Sequence, residues 1–130
     1  MSANAGVVRD LYAAFARKDA ATIRRLLHPD VEWIQCAGFP GGGRWKGVDA
    51  VFEKVFGALG SAWRDWRAEV DELLDAGSEI VAIGRYVGTH AATGKAMTAV
   101  FAHVYRVESG RVTRFRQFTD TAVIARAATS

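Results

Sequence analysis

The sequence predicts an α+β fold, with helices packed on one face of a curved, mostly antiparallel sheet. Three observations carry that prediction. Apolar residues recur at helical spacing near the start of the chain and again after residue 48. The second half alternates with period two over four long runs. Three helices are also too few to cover a sheet of five or six strands, so a gap remains between the layers where a small molecule fits.

The elements follow in order. From about Ala3 to Arg17, the residues Val7, Val8, Leu11, Tyr12 and Phe15 form the stripe of an amphipathic helix. Asp19 is placed to cap a short second helix holding Ile23, Leu26 and Leu27. His28-Pro29-Asp30 stops it, because proline disfavours helical geometry in the preceding residue. His28 then reads as a helix-terminal residue, favourable there through the helix dipole. Val31 to Cys36 reads as a strand, with Val31, Trp33 and Gln35 on one face and Glu32, Ile34 and Cys36 on the other. Phe39 to Gly47 reads as a flexible loop over the mouth of a pocket. A third helix is predicted from about Val48 to Leu59, striped by Val51, Phe52, Val55, Phe56 and Leu59. Strands are predicted over about 66–74, 79–89, 96–107 and 112–120, and a short helix over 121–128.

The last two strands form a hairpin around Ser109-Gly110. Counting outward from a two-residue turn, Val107 faces Val112, His103 faces Arg116, Phe101 faces Phe118 and Ala99 faces Asp120. Side chains alternate across a strand, so this register sends His103, Arg116 and Asp120 to one face together with Phe101 and Phe118. A solvent face does not need the phenylalanines, and a core face does not want the charges. A pocket with a dry floor and a few polar groups wants both.

Composition narrows the function classes. The chain has 130 residues, 50% hydrophobic and 24% charged, with a net charge of +3. That describes one soluble globular domain over residues 1–130. No apolar run approaches the roughly 18 residues that span a bilayer. The first residues lack a basic segment followed by an apolar one, so a cytoplasmic location is expected. The basic residues are scattered apart from Arg111, Arg114 and Arg116, and no recognition motif supports nucleic-acid binding. Cys36 is the only cysteine, which excludes an intrachain disulfide and a thiolate metal cluster. His28, His90 and His103 are far apart in sequence, with no short ligand spacing, so no metal site is expected. Gly41-Gly42-Gly43 lacks the Gly-Lys-Ser/Thr ending of a phosphate-binding loop. Apolar residues on both faces of the long strands predict a homodimer that covers the outer face.

Several segments together carry a resemblance. They are Leu11-Tyr12-Ala13-Ala14-Phe15, Leu27-His28-Pro29-Asp30-Val31-Glu32-Trp33, Trp45-Lys46-Gly47 before a helix, and the closing hairpin. With them the chain resembles the nuclear-transport-factor-two-like superfamily, most closely the SnoaL-like group of polyketide cyclase and ketosteroid isomerase relatives. The resemblance implies a cone-shaped sheet wrapped around the N-terminal helices, with an internal pocket. It does not select an activity, because the superfamily holds isomerases, cyclases, epoxide hydrolases, dehydratases and proteins without catalysis. Ketosteroid isomerases use an Asp base and an oxyanion hole of a Tyr and a protonated Asp. Tyr12 matches the tyrosine. Gln35 falls at the base position and His103 near the protonated acid, so that mechanism is not expected here.

The cyclase pattern implies an acid/base Asp at the end of the final strand, which is Asp120. The expected reaction is an aldol closure or isomerisation of a small apolar carbonyl compound. Asp120 removes a proton next to a carbonyl, and His103, Gln35 and Tyr12 donate to the enolate oxygen. Trp33, Phe101, Arg116 and Phe118 line the pocket. No metal or organic cofactor is needed, since the substrate carbonyls are the electron sink. Each residue also has a plainer role. Asp120 fits equally as the cap of the terminal helix. His103 fits as a hydrogen-bonded core histidine, and Tyr12 as a packing residue on its stripe. The competing function is a non-catalytic domain that holds a small apolar metabolite. An epoxide-hydrolase arrangement would need a second Asp that the strand of Phe101 and His103 lacks.

Overall fold

The computed structural model describes residues 2–130. Helix α1 runs Ala3–Arg17. Ser2 caps it, its Oγ accepting from the Ala5 amide at 3.1 Å. Ala5, Val8, Leu11 and Ala14 are buried, one helical face laid on the sheet. Asp19 caps α2 (Ala20–Leu26) as expected, accepting from the Thr22 amide at 3.1 Å.

Strand β1 (Leu27–Gln35) starts earlier than its apolar alternation suggested. His28 is therefore inside a strand, not at a helix end, and its Nδ1 accepts from the Asp30 amide. Pro29 is tolerated because β1 pairs with the last strand at Leu27 and resumes only at Glu32, so the proline falls in the irregular stretch. The loop after β1 holds a second surprise. Gly43–Lys46 forms β2, a short edge strand antiparallel to β1, with Trp33 opposite Trp45. Four mostly exposed residues give no alternation from which to read a strand. The helical stretch that follows is α3 (Val48–Val51), a wider turn over Phe52–Phe56, and α4 (Gly57–Ala62).

Strands β3 (Trp63–Ala76), β4 (Glu79–His90), β5 (Ala96–Glu108) and β6 (Arg111–Thr119) form a long meander, closed by α5 (Thr121–Ala128). The six-stranded sheet has the order β2-β1-β6-β5-β4-β3, with β1 parallel to β6 and every other pair antiparallel. It is an open, curved, mixed sheet against the N-terminal helices, the α+β class the sequence predicted. The core lies between α1, the Val51–Val55 turn and the inner face of β4, β5 and β6, where Ile80, Tyr86, Phe101, Tyr105 and Phe115 are buried.

The hairpin register differs from the sequence expectation. Glu108 pairs with Arg111 and Val107 with Val112, as expected, but an irregularity follows and Arg106 pairs with Arg114. The extra residue is a β-bulge. Beyond it His103 faces Gln117, not Arg116, and Phe101 faces Thr119, not Phe118. Gln117 and Phe115 therefore turn inward, while Arg116 and Phe118 turn outward.

Candidate functional site

The inner face of β5 presents Phe101, His103 and Tyr105 in alternation. His103 is 3% exposed and sits between two tyrosines. Tyr12 of α1 reaches its Nδ1 at 2.5 Å, and Tyr86 of β4 reaches its Nε2 at 2.5 Å. Tyr105 donates to the Tyr12 hydroxyl at 2.9 Å. On the other side the Gln117 amide nitrogen donates to the Tyr86 hydroxyl at 2.9 Å. The Gln117 carbonyl oxygen accepts from the Cys36 amide at 3.3 Å and faces the Cys36 thiol. A chain of polar groups thus crosses the core from Tyr105 to Cys36. Phe101 stacks on the His103 ring with 3.8 Å between centroids.

Burial sets the protonation of this chain. It pushes the His103 pKa well below the ordinary imidazole range, so the ring is neutral at physiological pH. Burial likewise raises Tyr86, Tyr105 and Tyr12, the last helped by Tyr105 beside it, so the three phenols keep their protons. Among the described residues the buried polar side chains are Gln35, His103 and Gln117, none of them a carboxylate.

A cavity of about 190 Å³ adjoins this chain. Gln35, Phe39, Val55, Leu59 and Trp63 form its walls, and the exposed Lys54 also lines it. Lys54 is the only charged residue lining it. Gln35 is 6% exposed, yet its side-chain amide makes no hydrogen bond among the described residues. That amide is left free to bond a polar group in the cavity it lines. Phe39 separates cavity from polar chain: it lines the one and packs on Tyr86, with centroids 6.2 Å apart. A tight turn fixes that loop. The Gly42 amide donates to the Phe39 carbonyl at 2.7 Å. A Cβ on Gly42 would stand 2.7 Å from that oxygen and 2.8 Å from the Cys36 carbonyl.

The residues singled out from sequence are therefore divided. Tyr12, His103 and Phe101 meet in the polar chain, and Gln35 lines the adjacent cavity. Trp33 is an inner-face residue stacked on Phe115 at 3.8 Å between centroids, and its indole nitrogen is buried without a partner. Arg116 and Phe118 are not with them. Arg116 bonds Glu79 at 3.2 Å on the outer face, and Phe118 is 50% exposed there. Asp120 is exposed, and its Oδ1 accepts from the Val123 amide at 3.2 Å as the cap of α5. Tyr86, Tyr105 and Gln117 went unread. Tyr105 shares a face with His103 by simple alternation, and Tyr86 needed the β4–β5 register. Gln117 needed the bulge, which nothing in the sequence marks. Among the described residues no three His, Cys, Asp or Glu side chains converge to hold a metal.

Comparison with known proteins agrees with this fold. A profile of the SnoaL-like domain matches residues 8–115. An NTF2-like protein of Burkholderia thailandensis is 38% identical, with a TM-score of 0.95 and 100% of both chains covered. The structure of TerC co-crystallised with polyporic acid is 25% identical, with a TM-score of 0.89 over 99% of this chain and 100% of that one. An uncharacterised protein of Mycobacterium tuberculosis is 28% identical over 117 residues, 89% of this chain and 88% of its own length. The chain thus belongs to the SnoaL-like domain family, within the nuclear-transport-factor-two-like (NTF2-like) superfamily.

Proposed function

We propose that this chain binds a small, largely apolar carbonyl compound in the Gln35 cavity and that its acid/base chemistry runs through His103 and its tyrosines. The observation that carries this reading is the Gln35 amide, without a hydrogen bond among the described residues, on a wall that is apolar apart from Lys54. The cavity of about 190 Å³ is below the roughly 300–1,000 Å³ of drug-sized sites, which suits a compound of about one ring. TerC, a relative, was crystallised with the aromatic compound polyporic acid, which supports an aromatic ligand here. Lys54 at the cavity wall favours a ligand that carries partial or full negative charge on oxygen.

The chemistry proposed is enolisation without a metal or organic cofactor, the first step of an aldol cyclisation or isomerisation, with the carbon-bound proton passing through the Tyr86 hydroxyl to Nε2 of neutral His103 once the ligand has displaced Phe39. The Gln35 amide and the Tyr86 hydroxyl bonded to His103 stabilise the developing oxyanion. Asp120 is not the favoured base, since its carboxylate is exposed and turned to the α5 backbone. The absence of a carboxylate among the buried residues favours one alternative, binding without turnover.

One experiment separates the two. 4-Hydroxyacetophenone is titrated while tryptophan fluorescence is followed, because Trp63 lines the cavity and Trp66 packs on Phe39. Exchange of the methyl protons for deuterium is then followed by NMR. Saturable quenching with faster exchange supports the enzyme, and quenching alone supports the binding domain. No saturable quenching in wild type, or equal affinity in Gln35→Leu, refutes the pocket. A homodimer through the outer sheet face belongs to the same proposal, supported by Val100 and Phe118, which are 69% and 50% exposed there.

A further inference from the structure

The polar chain has one hydroxyl proton too many. The Cys36 amide must donate to the Gln117 carbonyl oxygen, so the Gln117 NH₂ must face, and donate to, the Tyr86 oxygen. Three bonds remain: Tyr86 to His103, His103 to Tyr12, and Tyr12 to Tyr105. Three hydroxyls and one imidazole N–H offer four protons for them. One proton is left over in every arrangement, and its place is tied to the tautomer of His103. With the proton on Nδ1, Tyr86 donates to Nε2 and the spare lies on Tyr12 or Tyr105. With it on Nε2, Tyr12 donates to Nδ1 and the spare lies on Tyr86.

The two states differ in what surrounds the spare. Tyr86 and Tyr105 are buried, whereas Tyr12 as a residue is half-buried. The Nδ1–H state also points Gln117, Tyr86 and His103 in one direction, in which each bond polarises the next. The empty protein therefore holds Nδ1–H. The Nε2–H state instead leaves a buried Tyr86 hydroxyl with no acceptor, at a cost of about 1–3 kcal/mol. An acceptor oxygen placed on Tyr86 removes that cost. Phe39 and Trp66 both pack on Tyr86, and Phe39 also lines the cavity, so a ligand reaches the Tyr86 hydroxyl by displacing the Phe39 ring.

We infer that His103 is a tautomeric switch: a ligand oxygen that accepts from Tyr86 moves the ring from Nδ1–H to Nε2–H. This rests on the pocket reading above. The proton count is conserved. Tyr86 gives its proton to Nε2 and takes one from solvent once the ligand has displaced the Phe39 ring. Nδ1 gives its proton to Tyr12, which releases its own to solvent. Tyr86 thereby becomes a donor aimed at the ligand, and His103 a positioning residue that acts through it. The ligand class follows: it must present a carbonyl, enolate or phenolate oxygen, and a purely donor ligand is excluded.

The test is NMR of the full chain with ¹⁵N-labelled histidine, free and with 4-hydroxyacetophenone, in wild type and in Phe39→Ala. His28→Gln and His90→Gln, both outside the chain of bonds, assign the His103 signals by elimination. The expected result is an Nδ1–H pattern in the free protein and exchange of the two ring-nitrogen shifts on binding. Tyr86→Phe should bind the probe about tenfold more weakly and show no ligand-dependent exchange. An Nε2–H ring in the free protein overturns the inference. So does binding with the ring unchanged in both wild type and Phe39→Ala. Failure of either chain to bind refutes the pocket and the ligand-driven switch with it. The free-state tautomer then still decides whether the free protein holds Nδ1–H, as the order of the two states requires.

Discussion

His103 occupies a place where an imidazolium would have no counter-ion, and this gives it a pH signature. Its folded pKa is lowered by burial, so below the ordinary value near 6.5 the unfolded chain binds a proton that the folded one refuses. Stability is thus fully present above about pH 6.5 and is lost as pH falls, by up to about 1.4 kcal/mol per pH unit for one proton. Urea denaturation at pH 7.5, 6 and 5 should show this slope, and His103→Gln should flatten it. Asp120 offers the opposite case. Asp120→Ala should cost about 1 kcal/mol through loss of the α5 cap and leave probe binding unchanged. Lost binding or turnover at unchanged folding would restore it to the chemistry. Tyr12, Gln35, Phe101 and His103 were legible in the sequence because strand and helix periods fix their faces. Arg116 and Phe118 were misplaced by the same counting, since one bulged residue inverts every side chain beyond it.

Among the elements, the helices were the most readable, through the apolar stripe of the first and through Asp19 and Asp120, which mark the starts of α2 and α5 chemically. Strand β2 was hidden, since what defines it is its pairing to β1 and not its own pattern. The strongest local constraint in the sheet is Gly84, on the inner face of β4 where β3 bulges between Val70 and Glu72. A Cβ there would lie 2.1 Å from the Glu69 carbonyl oxygen and 2.9 Å from the Phe101 ring. Gly84→Ala should therefore destabilise the fold by about 3 kcal/mol, at the high end for an overpacked core. It should also displace the ring that stacks on His103. Thermal unfolding and the Phe101 ring signals check the two effects. A variant within about 0.5 kcal/mol of wild type would mean that the β3 backbone yields.

For the molecule as a whole, the apolar residues on the outer face are the open account. A dimer there should appear by sedimentation at micromolar concentration. Phe118→Lys should lower the dimer fraction without weakening probe binding in the cavity on the other face. A wild-type monomer at that concentration would remove the interface. The fold class, the helices with their caps and the inner faces of β1 and β5 were determined by the sequence alone. They depend on periodicity and on residues that interact with their own neighbours. Only the tertiary structure decided that Tyr86, His103, Tyr12 and Gln117 share one chain of bonds. It alone removed Arg116 from the interior and set Asp120 to capping. Those outcomes depend on strand register, and register is fixed by bulges and by pairing between segments far apart in sequence, which no local pattern records.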